Sequence, residues 1–201
     1  MVKRTILISI LGLCCLCSPP PQSTPRSSSS DWKPNLLKGD FDSGPLQIYR
    51  DLRIVILPVT DGREDSSVIG SVRKDNVPGG EVVSLTTTKD VAQWCRSGMI
   101  SALEYLGLKS AKEGELVVES ELTRFFLQDE MNQRGEIDLR VSINSSGILI
   151  WEGNVKGLSE LYLRPKGSDG VWECLSNTMI KTVYNLLAES SVRDAVLKSI
   201  E

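Results

Sequence analysis

GELVVESELTRFFLQDEMNQRGEIDLRVSINSSGILIWEGNVKGLSELYL, residues 114–163, holds three runs of two-residue periodicity separated by two short polar turns. In the middle run Ile137, Leu139, Val141 and Ile143 fall on one side, and Glu136, Asp138, Arg140, Ser142 and Asn144 on the other. A period of two gives a strand with one buried and one wet face. The first run repeats the pattern, with Leu116, Val118, Ser120 and Leu122 inward and Glu119, Glu121 and Thr123 outward, then loses it at Phe125-Phe126-Leu127. Residues 128–134 (QDEMNQR) supply the first turn and Asn144-Ser145-Ser146-Gly147 the tighter second one. The third strand begins at Ile148-Leu149-Ile150-Trp151 and extends toward Tyr162, with Gly153 and Gly157 as candidate bulges. The stretch therefore predicts a three-strand antiparallel meander with a single covered face.

The cover is also legible. Val91, Cys95, Met99, Ala102 and Leu106 recur at helical spacing and stop at Gly107. Thr86-Thr87-Thr88 precedes them as an N-cap candidate. A second helix starts near Ser168-Asp169 and carries Val171, Leu175, Met179, Val183 and Leu186. After Ser190-Ser191 a short third one aligns Val192, Val196 and Ile200. Upstream, Leu52 to Val59 (LRIVILPV) reads as a strand buried on both sides. Residues 68–73 and 81–85 read as a small hairpin around Pro78-Gly79-Gly80. The expected fold class is α+β: a two-layer domain whose antiparallel sheet, with its three-strand meander, is covered on one face by two helices.

The chain opens MVKRTILISILGLCCLCSPPP. Lys3 and Arg4 make a positive start, and residues 5–13 an apolar stretch too short for a spanning helix, which needs about 20 residues. It fits a secretory signal. Cysteines at its end suit a lipoprotein, with Cys15 favoured by its small neighbour and Cys14 and Cys17 as alternatives. Two or more acyl chains would anchor such a protein stably. Residues 18–50 read as a tether, proline- and serine-rich through Pro34, with a flexible reach of about 25 Å for roughly 20 residues. The expected organisation is a signal over 1–17, the tether over 18–50, and one α+β domain over 51–201. The address is the bacterial cell envelope, either anchored on the periplasmic side of the outer membrane or free in the periplasm.

Composition narrows the function. The 23 Lys and Arg against 26 Asp and Glu give no electrostatic reason for nucleic acid as partner. There is no histidine, which removes the commonest general base and metal ligand, any Ser-His-Asp triad and any His-containing zinc site. No enzyme, metal or cofactor is expected. Asp61 and Arg63 read as a turn held by a local ion pair, with a polar site as the rival reading. Glu119 and Glu121, with Asp138 and Arg140 across the strand pair, read as a solvated face rather than as glycosidase carboxylates. Phe125 and Phe126 are adjacent on one strand, so one ring must stand on the wet face and becomes a candidate contact. Cys95 and Cys174, one per helix, are either a disulfide clip or two buried thiols.

The order of elements resembles the YajG-type family of bacterial lipoproteins. The resemblance rests on the cysteine-terminated leader, the strand ending in Asp61-Gly62-Arg63, Ile69-Gly70, Val82-Val83-Ser84-Leu85, the helix closing at Leu106-Gly107-Leu108, the meander and the last helix. It spans 52–200 and implies an auxiliary envelope lipoprotein. The expected role is docking an envelope protein through an open sheet face or edge, with membrane attachment through the N-terminal lipid. The alternative is a periplasmic protein binding a small ligand or glycan.

Overall fold

The computed structural model describes residues 32–37, 40–73, 80–130, 132–162 and 168–200. The meander is present as β6 (Leu116–Asp129), β7 (Gln133–Ser145) and β8 (Ile148–Leu161). In β7 buried and less buried residues alternate over all 13 positions. The two-residue turn between β7 and β8 has Ser146 at φ 51° and Gly147 at φ 79°, the mirror-image geometry that matches strand twist. The lost alternation in β6 has a local cause. The register slips between Leu122 and Arg124, so Thr123 is an extra residue and Phe125 returns to the buried side.

Neither Gly153 nor Gly157 is the expected bulge, since they pair in unbroken register with Val141 and Ile137. The irregularity in β8 falls at Ile150, between the pairs Ile143–Trp151 and Asn144–Leu149. Gly157 serves a close approach instead: a side chain there would drive into the Thr182 backbone nitrogen and the Thr178 carbonyl. Gly135, on the neighbouring strand, is crowded in the same way by Thr178 Oγ1.

The remaining strands make the sheet mixed. β1 (Arg53–Ile56), β2 (Thr60–Asp61) and β3 (Val68–Arg73) each run parallel to successive parts of β6. β4 (Val82–Thr86) pairs antiparallel with β3, and β5 (Lys109–Ser110) parallel with β1. Parallel pairing follows from the connection, because the helix between β4 and β5 returns the chain to the same end of the sheet.

Helices α1 (Val91–Tyr105), α2 (Ser168–Ala188) and α3 (Ser190–Ile200) pack on one face. The N-cap of α1 is Asp90, which accepts from Gln93 N at 2.9 Å, rather than the threonine run. Val192 and Val196 are buried as expected, while Ile200 stands exposed at the end of α3.

Residues 32–37 and 40–50, placed by composition in the tether, pack along the seam between α1 and α2. The Trp32 ring lies 6.2 Å from that of Trp94, and the Phe41 ring 5.0 Å from that of Tyr184. Leu46 and Tyr49 are buried in the core, and the Tyr49 hydroxyl donates to Leu187 O at 3.0 Å. Lys33 N donates to Ser176 Oγ at 3.1 Å. Asn35 N donates to Asn177 Oδ1 at 3.0 Å, and Asn177 Nδ2 returns a bond to Asn35 Oδ1 at 2.6 Å. Ser176 and Asn177, polar residues on the outer side of α2, are thereby buried without loss of hydrogen bonds. The strap has no regular period, so a reading built on periodicity passed over it.

Candidate functional site

The open face of the meander carries an ion-pair lattice. Glu121 pairs with Arg140 at 2.8 Å, and Glu136 bridges Arg124 at 2.6 Å and Lys156 on β8. Glu119 is exposed beside Glu121, and with Leu57, Pro58, Thr60, Arg140 and Ser142 they line a shallow depression. Asp138 lies among these groups with Oδ1 buried and without a hydrogen-bond partner among the described residues, and burial pushes its carboxyl above the usual range. Most other charges on this face of β6 and β7 are held in these ion pairs.

Phe125 is in the core, its ring edge-on to Trp94 at 5.4 Å. Phe126 is the outward ring, half-buried beneath the Arg124 guanidinium at 5.2 Å. Asp61 and Arg63 form a clamp. Arg63 Nε and Nη2 donate to the two Asp61 oxygens at 2.8 and 2.7 Å, and further donors reach Ser66 O and Val68 O. Hydrogen bonds from Arg63 hold the Asp61 carboxyl below the ordinary range. The guanidinium also lies 5.7 Å from the Phe125 ring, so this pair fixes the loop before β3 against the core. Cys95 and Cys174 are separate, buried thiols with no disulfide between them, and burial raises both above the usual thiol range. Cys14, Cys15 and Cys17 lie outside the described residues.

The expected open face or edge had no strand assigned to it, and the outer side of β8 is such an edge. Among the described residues β8 pairs only with β7. The direction of its backbone groups follows from two side-chain bonds. Thr123 Oγ1 donates to Asp138 O, so the backbone groups of Asp138 turn toward β6, away from its β8 neighbour Lys156. Asn185 Nδ2 donates to Lys156 O at 2.8 Å from the other side. The N–H and C=O of Glu152, Asn154, Lys156, Leu158 and Glu160 therefore point out of the sheet, since they share one parity along a regular stretch. Apolar residues flank them: Ile148 is 68% exposed, Leu149 53% and Leu158 38%.

Between this edge and α2 and α3 runs a groove divided by a bridge from Trp151 Nε1 to Ser191 Oγ at 3.0 Å. One half, of about 740 Å³, is lined by Ile148, Ile150, Trp151, Ala195 and Lys198, among others. The other, of about 600 Å³, lies against Asn154, Lys156, Asn185 and Glu189. The available signal was the run Ile148–Trp151 directly after a tight turn, too apolar for a strand with one wet face.

Among the described residues no helix is long and apolar enough to cross a membrane. No protein-family model matches the sequence, and no curated protein matches it. Several solved structures are similar in shape. Protein XCC0632 from Xanthomonas campestris, of family DUF330, is 12% identical over 71% of this chain and 86% of its own, with a TM-score of 0.49. The hypothetical protein CT253 from Chlamydia trachomatis is 11% identical over 73% of this chain and 98% of its own, with a TM-score of 0.42. Lipoprotein GNA1162 from Neisseria meningitidis is 9% identical over 59% of this chain and 90% of its own, with a TM-score of 0.31.

Proposed function

We propose that this chain is a non-enzymatic envelope lipoprotein of the YajG type, anchored through Cys15, Cys14 or Cys17, whose folded part docks a protein partner along β8. The observation that carries the docking reading is the edge itself: a 14-residue strand, one side unpaired among the described residues, with outward backbone groups and exposed Ile148, Leu149 and Leu158. Such an edge either is covered by a partner or invites unspecific pairing. The anchoring reading is supported by the basic start, the short apolar stretch and the cysteine cluster, and the absence of histidine argues against acid-base chemistry. Trp32 already packs against Trp94, so the described residues from 32 onward belong to the folded part.

Two measurements test this reading. A fatty-acid probe should label the mature protein and fail to label a variant with Cys14, Cys15 and Cys17 all replaced by serine. Unlabelled wild-type protein in the soluble periplasm would sink the anchor. Cross-linking from envelope membranes should recover a protein partner through β8, and recovery unaffected by Leu158→Glu would sink the edge as its site.

The groove beside Trp151 favours a second reading, a binding site for a small apolar or glycan ligand. Its volume falls in the range of small-molecule sites, and an indole flanked by serine hydroxyls and Lys198 suits a sugar or an amphiphile. Quenching of Trp151 fluorescence by a bound sugar or acyl chain, absent in Trp151→Phe, would favour it over protein docking.

A further inference from the structure

We infer that the partner of β8 is a second copy of this chain, the two β8 strands pairing antiparallel about a two-fold axis at Asn154; this rests on the reading of that edge as the docking surface. In a two-fold antiparallel pair a strand meets its own sequence reversed, so the register must be self-complementary. The residues whose backbone groups point outward are Glu152, Asn154, Lys156, Leu158 and Glu160, and their side chains all stand on the open face. Centring on Lys156 would set Lys156 against itself and Glu152 against Glu160 twice, with like charges directly opposed. Centring on Glu152 opposes two carboxylates. The intermediate centres at 153, 155 and 157 place no opposite charges face to face.

Two registers remain. The axis at Asn154 puts Glu152 opposite Lys156 of the other copy, twice. The axis at Leu158 puts Lys156 opposite Glu160, twice. Only the first uses the whole strand: it brings exposed Ile148 and Leu149 under the other copy, whereas the second leaves 148–153 overhanging. Asn185 occupies one lone pair of the Lys156 carbonyl and leaves the other for the incoming strand. The product is one continuous sheet across the two copies, with the helices of both on the same side.

The test uses the full chain with Cys14, Cys15 and Cys17 replaced by serine, followed by sedimentation over a range of concentrations. The chain should dimerise. Glu152→Lys should weaken the dimer by about tenfold or more, and Glu160→Lys by less than about threefold. Adding Lys156→Glu to Glu152→Lys should restore it in part, since Lys156 also pairs with Glu136 of its own chain. In the same background Asn154→Cys should form a disulfide-linked dimer on mild oxidation, since hydrogen-bonded antiparallel residues lie about 5.5 Å apart at Cα, within disulfide range. Asn144→Cys on the open face should not. Equal far-ultraviolet spectra and melting curves establish that each variant is folded.

A dimer insensitive to Glu152→Lys, or cross-linked through Leu158→Cys in place of Asn154→Cys, overturns the proposed register. A wild-type chain that stays monomeric overturns self-pairing. If that monomer, in its lipidated form, still recovers an envelope protein and loses it with Leu158→Glu, edge docking survives and the partner is an extended segment of another protein. If recovery ignores Leu158→Glu, both readings fall.

Discussion

The two faces of β6–β8 share a backbone and differ in everything that side chains do. On the covered face Leu122, Ile137, Leu139, Val141 and Ile143 are at most 1% exposed and lie in one core with α1 and α2. On the open face Glu121 pairs with Arg140, and Glu136 with both Arg124 and Lys156, at partly exposed side chains. Burial of apolar area stabilises the first face strongly, while exposed ion pairs stabilise the second by little. The comparison teaches where function can reside: the covered face is committed to folding, and the open face with its β8 edge can change at small cost to stability.

Leu139→Ala should give the largest loss, about 2–5 kcal/mol in denaturant unfolding, because it leaves a cavity under α2. A loss below about 1 kcal/mol there would mean that the covered face is not the core. Gly157→Ala should lose about 1–3 kcal/mol, since the added methyl meets Thr182 and Thr178 backbone and α2 must lift from the sheet. Trp32→Ala tests whether the strap belongs to the covered side. With its ring half-buried against Trp94, about 1–2 kcal/mol is expected, and an unchanged melting temperature would return the strap to the tether.

On the open face Arg140→Ala should stay within about 0.5 kcal/mol, because its bond to Glu121 is solvent-screened. A core-sized loss at Arg140 would erase the difference between the faces. Asp138→Asn should give the smallest effect and the opposite sign. Burial raises the folded-state pKa of Asp138, so its ionised form is disfavoured in the folded protein at neutral pH, and stability is regained as pH falls through that raised value. The asparagine variant should therefore melt slightly higher at neutral pH, with the advantage vanishing below the ordinary aspartate range. An advantage that persists in acid would assign the effect to packing rather than charge.

Much of this was written locally. Strict alternation in 136–144 identified β7 and its buried side, and the helical spacing from Val91 and from Val171 identified the two covering helices, because each pattern repeats within a few residues along the chain. The same logic failed at Thr123, where a single extra residue changed the parity that Phe125 and Phe126 inherit. It failed again at Gly157, whose missing side chain answers a helix distant in sequence rather than a bulge in its own strand.

The α+β class, the meander, the helical cover and the charged open face were legible along the chain, because all follow from side-chain period and hydrophobicity. The parallel pairing of β1, β2 and β3 with β6, the packing of residues 32–37 and 40–50 on the helices, and which strands keep an unpaired side among the described residues were settled by tertiary contacts. Those features depend on contacts between residues far apart in the chain. An aperiodic segment can pack as tightly as a helix when Ser176 and Asn177 wait to receive its backbone, and nothing in its own period announces it.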